Sequence, residues 1–326
     1  MKNRDRAEEL KLICLKNKSG TELKILNFGA SIFSLTIKGI NVIVGPASPQ
    51  DYLKDIYHRR GKFFGATVGR HAGRISRNSF ELDDQKYAIF GKDGVHLHGG
   101  EYGFSYKFWK VIEVRENNDP FVELEYLSPD GEEGYPGNLK VRARYSLSEE
   151  NEVRIEYTAE TDRRTVVNLT NHAYFNLNGG GTVNDHYLQI PAGEYLGTDT
   201  SNVPTGKLLR TAPSPFNFRE YRNIDQTPLD TVFCLEDLQK WILLKGDQSG
   251  ISLEVKTNQP AVVVYVPQDL PGDWNYSTKI AAERAAICLE TQKFPDAPHQ
   301  KHFPSVLLEP GEKYSNITTW QFKNGS

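Results

Sequence analysis

Apolar and polar residues alternate with period two through much of the chain, the pattern of a strand with one face on a core and the other in water. Phe33, Leu35 and Ile37 alternate with Ser34, Thr36 and Lys38. Val122, Leu124 and Tyr126 alternate with Glu123 and Glu125, and Val141, Ala143, Tyr145 and Leu147 with Arg142, Arg144, Ser146 and Ser148. The alternation returns at Val153, Ile155 and Tyr157 and again at Ile251, Leu253 and Val255. Turn pairs such as Asp93-Gly94, Asp130-Gly131, Pro136-Gly137, Asn178-Gly179 and Pro271-Gly272 punctuate the runs. Helix is expected only in short pieces, over residues 49–55, 218–224 and 278–286. Strands alternating with long helices, which a doubly wound parallel fold needs, are absent. The pattern therefore predicts an all-β chain, a large antiparallel β-sandwich whose two sheets pack face to face. No linker, composition shift or fixed-period repeat divides it, so residues 1–326 are expected to form a single domain.

Charge narrows the partners. The 326 residues carry 39 Lys and Arg against 42 Asp and Glu, a net of −3, without a basic block. Neither nucleic acid nor an anionic membrane is expected as a partner. The first ten residues are rich in charge and lack an apolar run behind them, unlike a signal peptide. No apolar stretch approaches the about 18 residues of a membrane span. Cys14, Cys234 and Cys288 are odd in number and widely spaced, which suits neither a disulfide framework nor a CxxC zinc site. A reducing, cytoplasmic setting is the expectation. The phosphate loop GxxxxGK, a GxGxxG after a strand and a GxSxG elbow are all missing, so nucleotide chemistry and serine hydrolysis lose their usual support.

Four segments carry residue types suited to chemistry. Residues 65–75 combine Gly65, Gly69 and Gly73 with Arg70 and Arg74, and a fixed guanidinium fork can bind ring and hydroxyl oxygens of a polar ligand. His96 and His98 lie two apart, which on a strand places both on one face, as a metal clamp or as a wall for a sugar. Residues 167–177 thread Asn168, Thr170, Asn171, His172 and Asn176 between apolar residues. Asparagine is disfavoured in strands and a buried amide without a partner costs about 1–3 kcal/mol, so this run reads as the wall of a polar pocket or as a satisfied polar network. Glu290 follows the apolar run 285–289 and is either exposed at an edge or buried with a raised pKa, as a general base requires. Glu309 and Glu312 flank Pro310-Gly311 and read as a solvated turn.

In this order the segments resemble the aldose 1-epimerase family, also called galactose mutarotases. The likeness runs from GATVGRHAGRI at Gly65 through HLHGG at His96 and NLTNHAYFNL at Asn168 to LETQKFPDA at Leu289 and LLEPGEKY at Leu307. What the resemblance implies is an open groove in a β-sandwich that binds a free hexose and uses no cofactor and no metal. It assigns the general acid to His172 and the general base to Glu290. It places substrate-binding roles on Arg74, His98, Tyr174 and Asp230, and on Gln259 through a TxQP-like segment. Two positions depart from the family wording. Gly73 stands where the family has an amide side chain, and Thr231 stands where it has a histidine beside the Asp; both changes bear on the choice of sugar.

The implied reaction takes a proton from the C1 hydroxyl and gives one to the ring oxygen, interconverting α and β anomers of a galactose- or glucose-type aldose. The partner is then a small sugar, and the chain a monomer or homodimer. Two rival readings are a non-catalytic carbohydrate-binding protein on the same fold and a metal-dependent β protein built on His96 and His98. Within the epimerase reading the sugar can also be a pentose, a disaccharide or a phosphorylated hexose. A phosphate would call on Arg59, Arg60, Lys62 or Arg70.

Overall fold

The computed structural model describes residues 9–117, 119–272, 274–281 and 283–324. The alternating segments become the strands of three large sheets. Nine strands form one sheet in the order Lys110–Arg115, Phe121–Ser128, Leu139–Leu147, Glu152–Thr161, Tyr314–Asn324, Ile251–Thr257, Ile242–Lys245, Tyr187–Gln189 and Arg222–Asn223. Six strands form a second, in the order Tyr174–Phe175, Ile287–Gln292, Ala261–Tyr265, Asp230–Cys234, Glu194–Thr198 and Pro204–Arg210. The N-terminal strands Leu12–Lys16, Glu22–Leu26, Ser31–Ile37 and Ile40–Asn41 form a third. Every pairing within these sheets is antiparallel.

Period two settles which faces meet. In Leu139–Leu147 the odd positions are all buried and the even ones exposed or half-buried. The buried set joins Val153, Ile155, Leu253, Val255 and Trp320 in a single apolar core. The six-stranded sheet contributes Phe233, Val262, Val264, Ile287 and Leu289 to the same core, and the N-terminal sheet Leu15, Leu23, Ile25 and Leu35. Phe175 meets Trp320 edge to face with centroids 4.9 Å apart, and Thr291 and Thr318 bond through their hydroxyls at 2.5 Å, joining the two sheets across the core. The other face of the six-stranded sheet is left for the site.

Of the three expected helical pieces, the first is present as a 3-10 turn, Pro49–Leu53, followed by the helix Asp55–Arg60. The other two are not helices. Residues 218–224 contain the strand Arg222–Asn223, and residues 278–286 contain the strand Lys279–Ile280, with Ala282 outside the described residues. Both segments lie along sheet edges, where pairing with Tyr187–Gln189 and with Gly180–Gly181 satisfies backbone groups that a one-turn helix would leave open.

Candidate active site

The strand Ile287–Gln292 is buried along its whole length. Alternation sends Ile287 and Leu289 into the core, and so turns Cys288, Glu290 and Gln292 to the opposite face. The neighbouring strand pairs Val263 with Glu290, and the next pairs Val232 with Val263 and Asp230 with Tyr265. Glu290, Gln292, Val263, Tyr265, Val232 and Asp230 thereby floor a groove of about 180 Å³. Its opposite wall comes from two other places. The helix Asp55–Arg60 ends at Gly61 in the left-handed conformation, φ 54°, which turns Lys62 and Phe63 onto the rim. The paired strands Arg74–Ser76 and Val95–Leu97 bring in Gly73, Arg74 and His98.

His172 enters between two short strands. Its N–H donates to the Ala66 carbonyl and its carbonyl accepts from Gly65 N–H, both at 2.9 Å. The amides around it hold the backbone rather than line the groove. Asn168 accepts from Lys293 N–H at 2.9 Å and donates to the Lys293 carbonyl at 3.1 Å, tying this segment to the end of the Glu290 strand. Thr170 donates to the Thr291 carbonyl, Asn171 to Gly65, and Asn176 to Gly181 and Ala285. Of that polar run, His172 and Tyr174 reach the groove.

The result is a buried pair. His172 Nε2 lies 3.6 Å from Glu290 Oε1, with both side chains almost wholly out of solvent. Burial, and after it the negative charge of Asp230, pushes Glu290 up to about 8, against a smaller lowering by Arg74. Burial pulls His172 down to about 4. His98 packs edge to face on His172 with centroids 5.3 Å apart. Its Nδ1 accepts the Gly73 N–H at 3.2 Å, and burial followed by the nearby His172 holds its pKa well below the usual imidazole value. The neutral ring then carries its proton on Nε2. Tyr174 stacks on His172 at 5.0 Å while its hydroxyl donates to the Lys62 carbonyl, so this side chain orients the imidazole from behind. Arg74 and Asp230 face each other across the groove at 3.4 Å, and Asn202 donates to the same Asp230 oxygen at 3.0 Å.

Several expectations change here. Gln259 lies outside the groove lining: its amide donates to Asn258 Oδ1 and the Ser315 carbonyl, beside the strand Tyr314–Asn324. His96 and His98 do not share a face, because the strand stops at Leu97 and His98 turns to φ 51°. His96 is instead used up in the interior, bonded to the Phe90 carbonyl and to the Tyr135 hydroxyl at 2.6 Å. Arg70 is buried and spends its guanidinium on Ser128, Pro129 and Pro136, whereas Arg60 and Lys62 do line the groove. At Gly73, φ is 77° and a Cβ would lie 2.7 Å from Pro295 Cγ, so Pro295 occupies the room an amide side chain would need. Sequence reasoning missed Phe63, Asn202, Tyr265 and Gln292. Gln292 was accessible through its i+2 relation to Glu290; Asn202 sits in a turn with no pattern to mark it.

Residues 11–321 match the Aldose 1-epimerase family. The galactose mutarotase of Sus scrofa is 37% identical over 315 residues, which cover 91% of this chain and 89% of that protein. The aldose 1-epimerase of Escherichia coli (strain K12) is 32% identical over 341 residues, covering 96% of this chain and 95% of that one. Among solved structures, galactose 1-epimerase from Lactobacillus acidophilus NCFM superposes with a TM-score of 0.87 at 31% identity, covering 97% of this chain and 95% of the other.

Proposed function

The chain belongs to the aldose 1-epimerase family and is an isomerase that interconverts the anomers of an aldose; from that premise we propose that Glu290 and His172 are the pair that moves the protons. The observation that carries this is their placement, 3.6 Å apart and buried on the floor of the groove, facing Arg74, His98 and Asp230. Glu290 takes the proton of the C1 hydroxyl while His172 delivers one to the ring oxygen, and the C1–O5 bond breaks to leave the open aldehyde. Rotation about C1–C2 and return of both protons close the ring on the other face. Arg74, Asp230 and the Nε2–H of His98 hold the hydroxyls during opening, with Gly73 and Pro295 closing the wall.

Proton bookkeeping suits the cycle. With Glu290 near 8 and His172 near 4, the empty pair holds one proton at neutral pH, on the carboxyl. That neutral form is the one ring opening produces. The ionic form that starts the reaction is favoured by attraction between charges at this separation and by sugar hydroxyls donating to the carboxylate. One protein group accepts while the other donates, so the pair ends each turnover as it began.

Polarimetry of freshly dissolved α-glucose and α-galactose tests the assignment. His172→Asn and Glu290→Gln are each expected to lose about 10²–10⁴ in kcat, with sugar binding retained. Wild-type rates in both variants would overturn it.

The donor set raises a second reading, because nitrogen and oxygen atoms of His98, His172 and Glu290 lie within 4.8 Å of one another. Two imidazoles and a carboxylate can hold a divalent cation. Acid–base chemistry on the pair requires no ion, so dialysis against chelator is expected to leave the rate unchanged; loss of activity restored by one metal would favour the metal reading. The chain is further taken as a single domain, since one core runs from Leu15 to Phe322, working in a reducing compartment that keeps Cys14, Cys234 and Cys288 as thiols.

A further inference from the structure

His98 reaches the groove from a loop just past the end of its strand. Val95–Leu97 stops one residue before it, and His98, Gly99 and Gly100 follow at φ 51°, 88° and 107°. A Cβ on Gly99 would collide with the Gly69 carbonyl, and one on Gly100 with the Glu133 carboxylate, so each glycine makes room for a specific neighbour. Beyond them the chain has left the ladder, and its backbone groups need other partners.

Two side chains from distant elements supply those partners. Glu101 N–H donates to Glu133 Oε2 at 2.9 Å and Tyr102 N–H to Glu133 Oε1 at 3.0 Å, so one carboxylate spans two consecutive amides. The Glu101 carbonyl takes a hydrogen bond from His58 Nε2 at 2.8 Å; a carbonyl can only accept, so this nitrogen carries a proton. The same imidazole lies flat on the Tyr102 ring, with centroids 4.4 Å apart and planes 7° from parallel.

The backbone of Glu133 is left-handed, at φ 52° and ψ 16°, with Gly131 at φ 79° and Gly134 at φ 92° on either side. Glycine adopts this region freely, whereas a residue with a side chain is strained there. A glutamate at this place brings a carboxylate to the amides of residues 101 and 102. His58 lies in the last turn of the helix Asp55–Arg60, which ends at Gly61 and leads to Lys62 and Phe63 on the rim. Phe63 packs edge to face on His98 at 4.9 Å, and His98 on His172 at 5.3 Å. His58 thus ties the rim to the loop, while Glu133 ties the loop to the turn over residues 131–134. Neither side chain lines the groove.

We propose that Glu133, assisted by His58, is a positioning residue that fixes the loop over residues 99–102 and so aims the His98 imidazole at the sugar. This rests on the reading of His98 as a group that holds sugar hydroxyls.

The test is a mutant cycle on glucose mutarotation, followed by polarimetry, with the urea midpoint of each variant read alongside. Glu133→Gly removes the carboxylate and also relieves the left-handed backbone, which protects the fold. It is expected to raise KM about tenfold with kcat within about threefold, and His98→Ala to raise KM at least as much. Glu133→Gln is expected to fall between Glu133→Gly and the wild type, because its amide oxygen still accepts one N–H. His58→Phe keeps a ring against Tyr102 but loses the bond to Glu101, and is expected to raise KM about threefold. In the double variant of His98→Ala with Glu133→Gly, the second change is expected to alter KM by less than about twofold, since its effect passes through His98. A merely structural role would lower the urea midpoint and the apparent kcat while KM stayed in place. That result, or a full additional rise of KM in the double variant, would overturn the positioning role and leave His98 as a sugar contact. An unchanged KM in His98→Ala would overturn the reading of His98 and the proposal with it; neither result bears on the acid–base pair.

Discussion

At the residue scale, Glu290 and His172 are shifted in opposite directions by one cause, the loss of water around a charge. Singly protonated, the pair spans the interval between about 4 and about 8, so kcat/KM is expected to follow a bell with limbs belonging to the pair and not to either residue alone. A flat profile from pH 5 to 9 would contradict that. Asp230 offers a signed check. Its negative charge helps hold Glu290 up, and it also pairs with Arg74, whose charge acts the other way. Asp230→Asn removes the first and frees the second, so the alkaline limb is expected to move to lower pH while KM rises. An alkaline limb that stays put or moves up would show that Asp230 does not act on Glu290 through space.

At the element scale, the site depends on two segments being bolted together. Asn168 links the His172 segment to the strand Ile287–Gln292 through Lys293, and its replacement by Ala leaves the part-buried Lys293 N–H without a partner, while the Lys293 carbonyl keeps the Gln292 amide. A loss of about 1–3 kcal/mol per unpaired group is expected, read as a lower urea midpoint with unchanged m-value. Gly73→Ala combines a left-handed backbone with a contact at 2.7 Å to Pro295, and a destabilisation of about 1–3 kcal/mol is expected from the backbone strain alone. Both costs arise between elements distant in sequence. That explains what could be read beforehand: the amides of residues 167–177 announced a polar requirement, but whether they faced a ligand or a backbone depended on where Lys293, Gly65 and Ala285 came to rest. For His96 and His98 the same-face expectation failed because one left-handed residue ended the strand.

At the scale of the whole molecule, several imidazoles are kept neutral inside the fold. Burial lowers His71 to about 3 and His96, His172 and His186 to about 4. The unfolded chain binds protons at these groups that the folded chain refuses, so their contribution to stability is complete above the ordinary imidazole value of about 6.5 and is lost as pH falls below it. Glu290 runs the other way: its folded pKa is raised, and its contribution fades as pH rises toward about 8. With His98 held low by burial as well, five imidazoles against one carboxyl put the expected maximum of the urea midpoint near neutral pH, with the steeper fall on the acid side; a maximum below pH 5 would contradict the burial of these rings. The division between sequence and structure follows the range of the forces. Period-two patterning, turn pairs and the wording of four segments carried the all-β sandwich, the family, and the candidacy of His172, Glu290, Arg74, His98 and Asp230, because each is written in residues a few positions apart. Tertiary structure alone decided that Glu290 is buried beside His172, that Gln259, His96 and Arg70 serve the interior, and that Pro295 fills the space beside Gly73. Burial and close approach depend on which strands become neighbours, and the strands carrying Glu290 and Asp230 and the segment carrying His172 are brought together by packing across long stretches of chain.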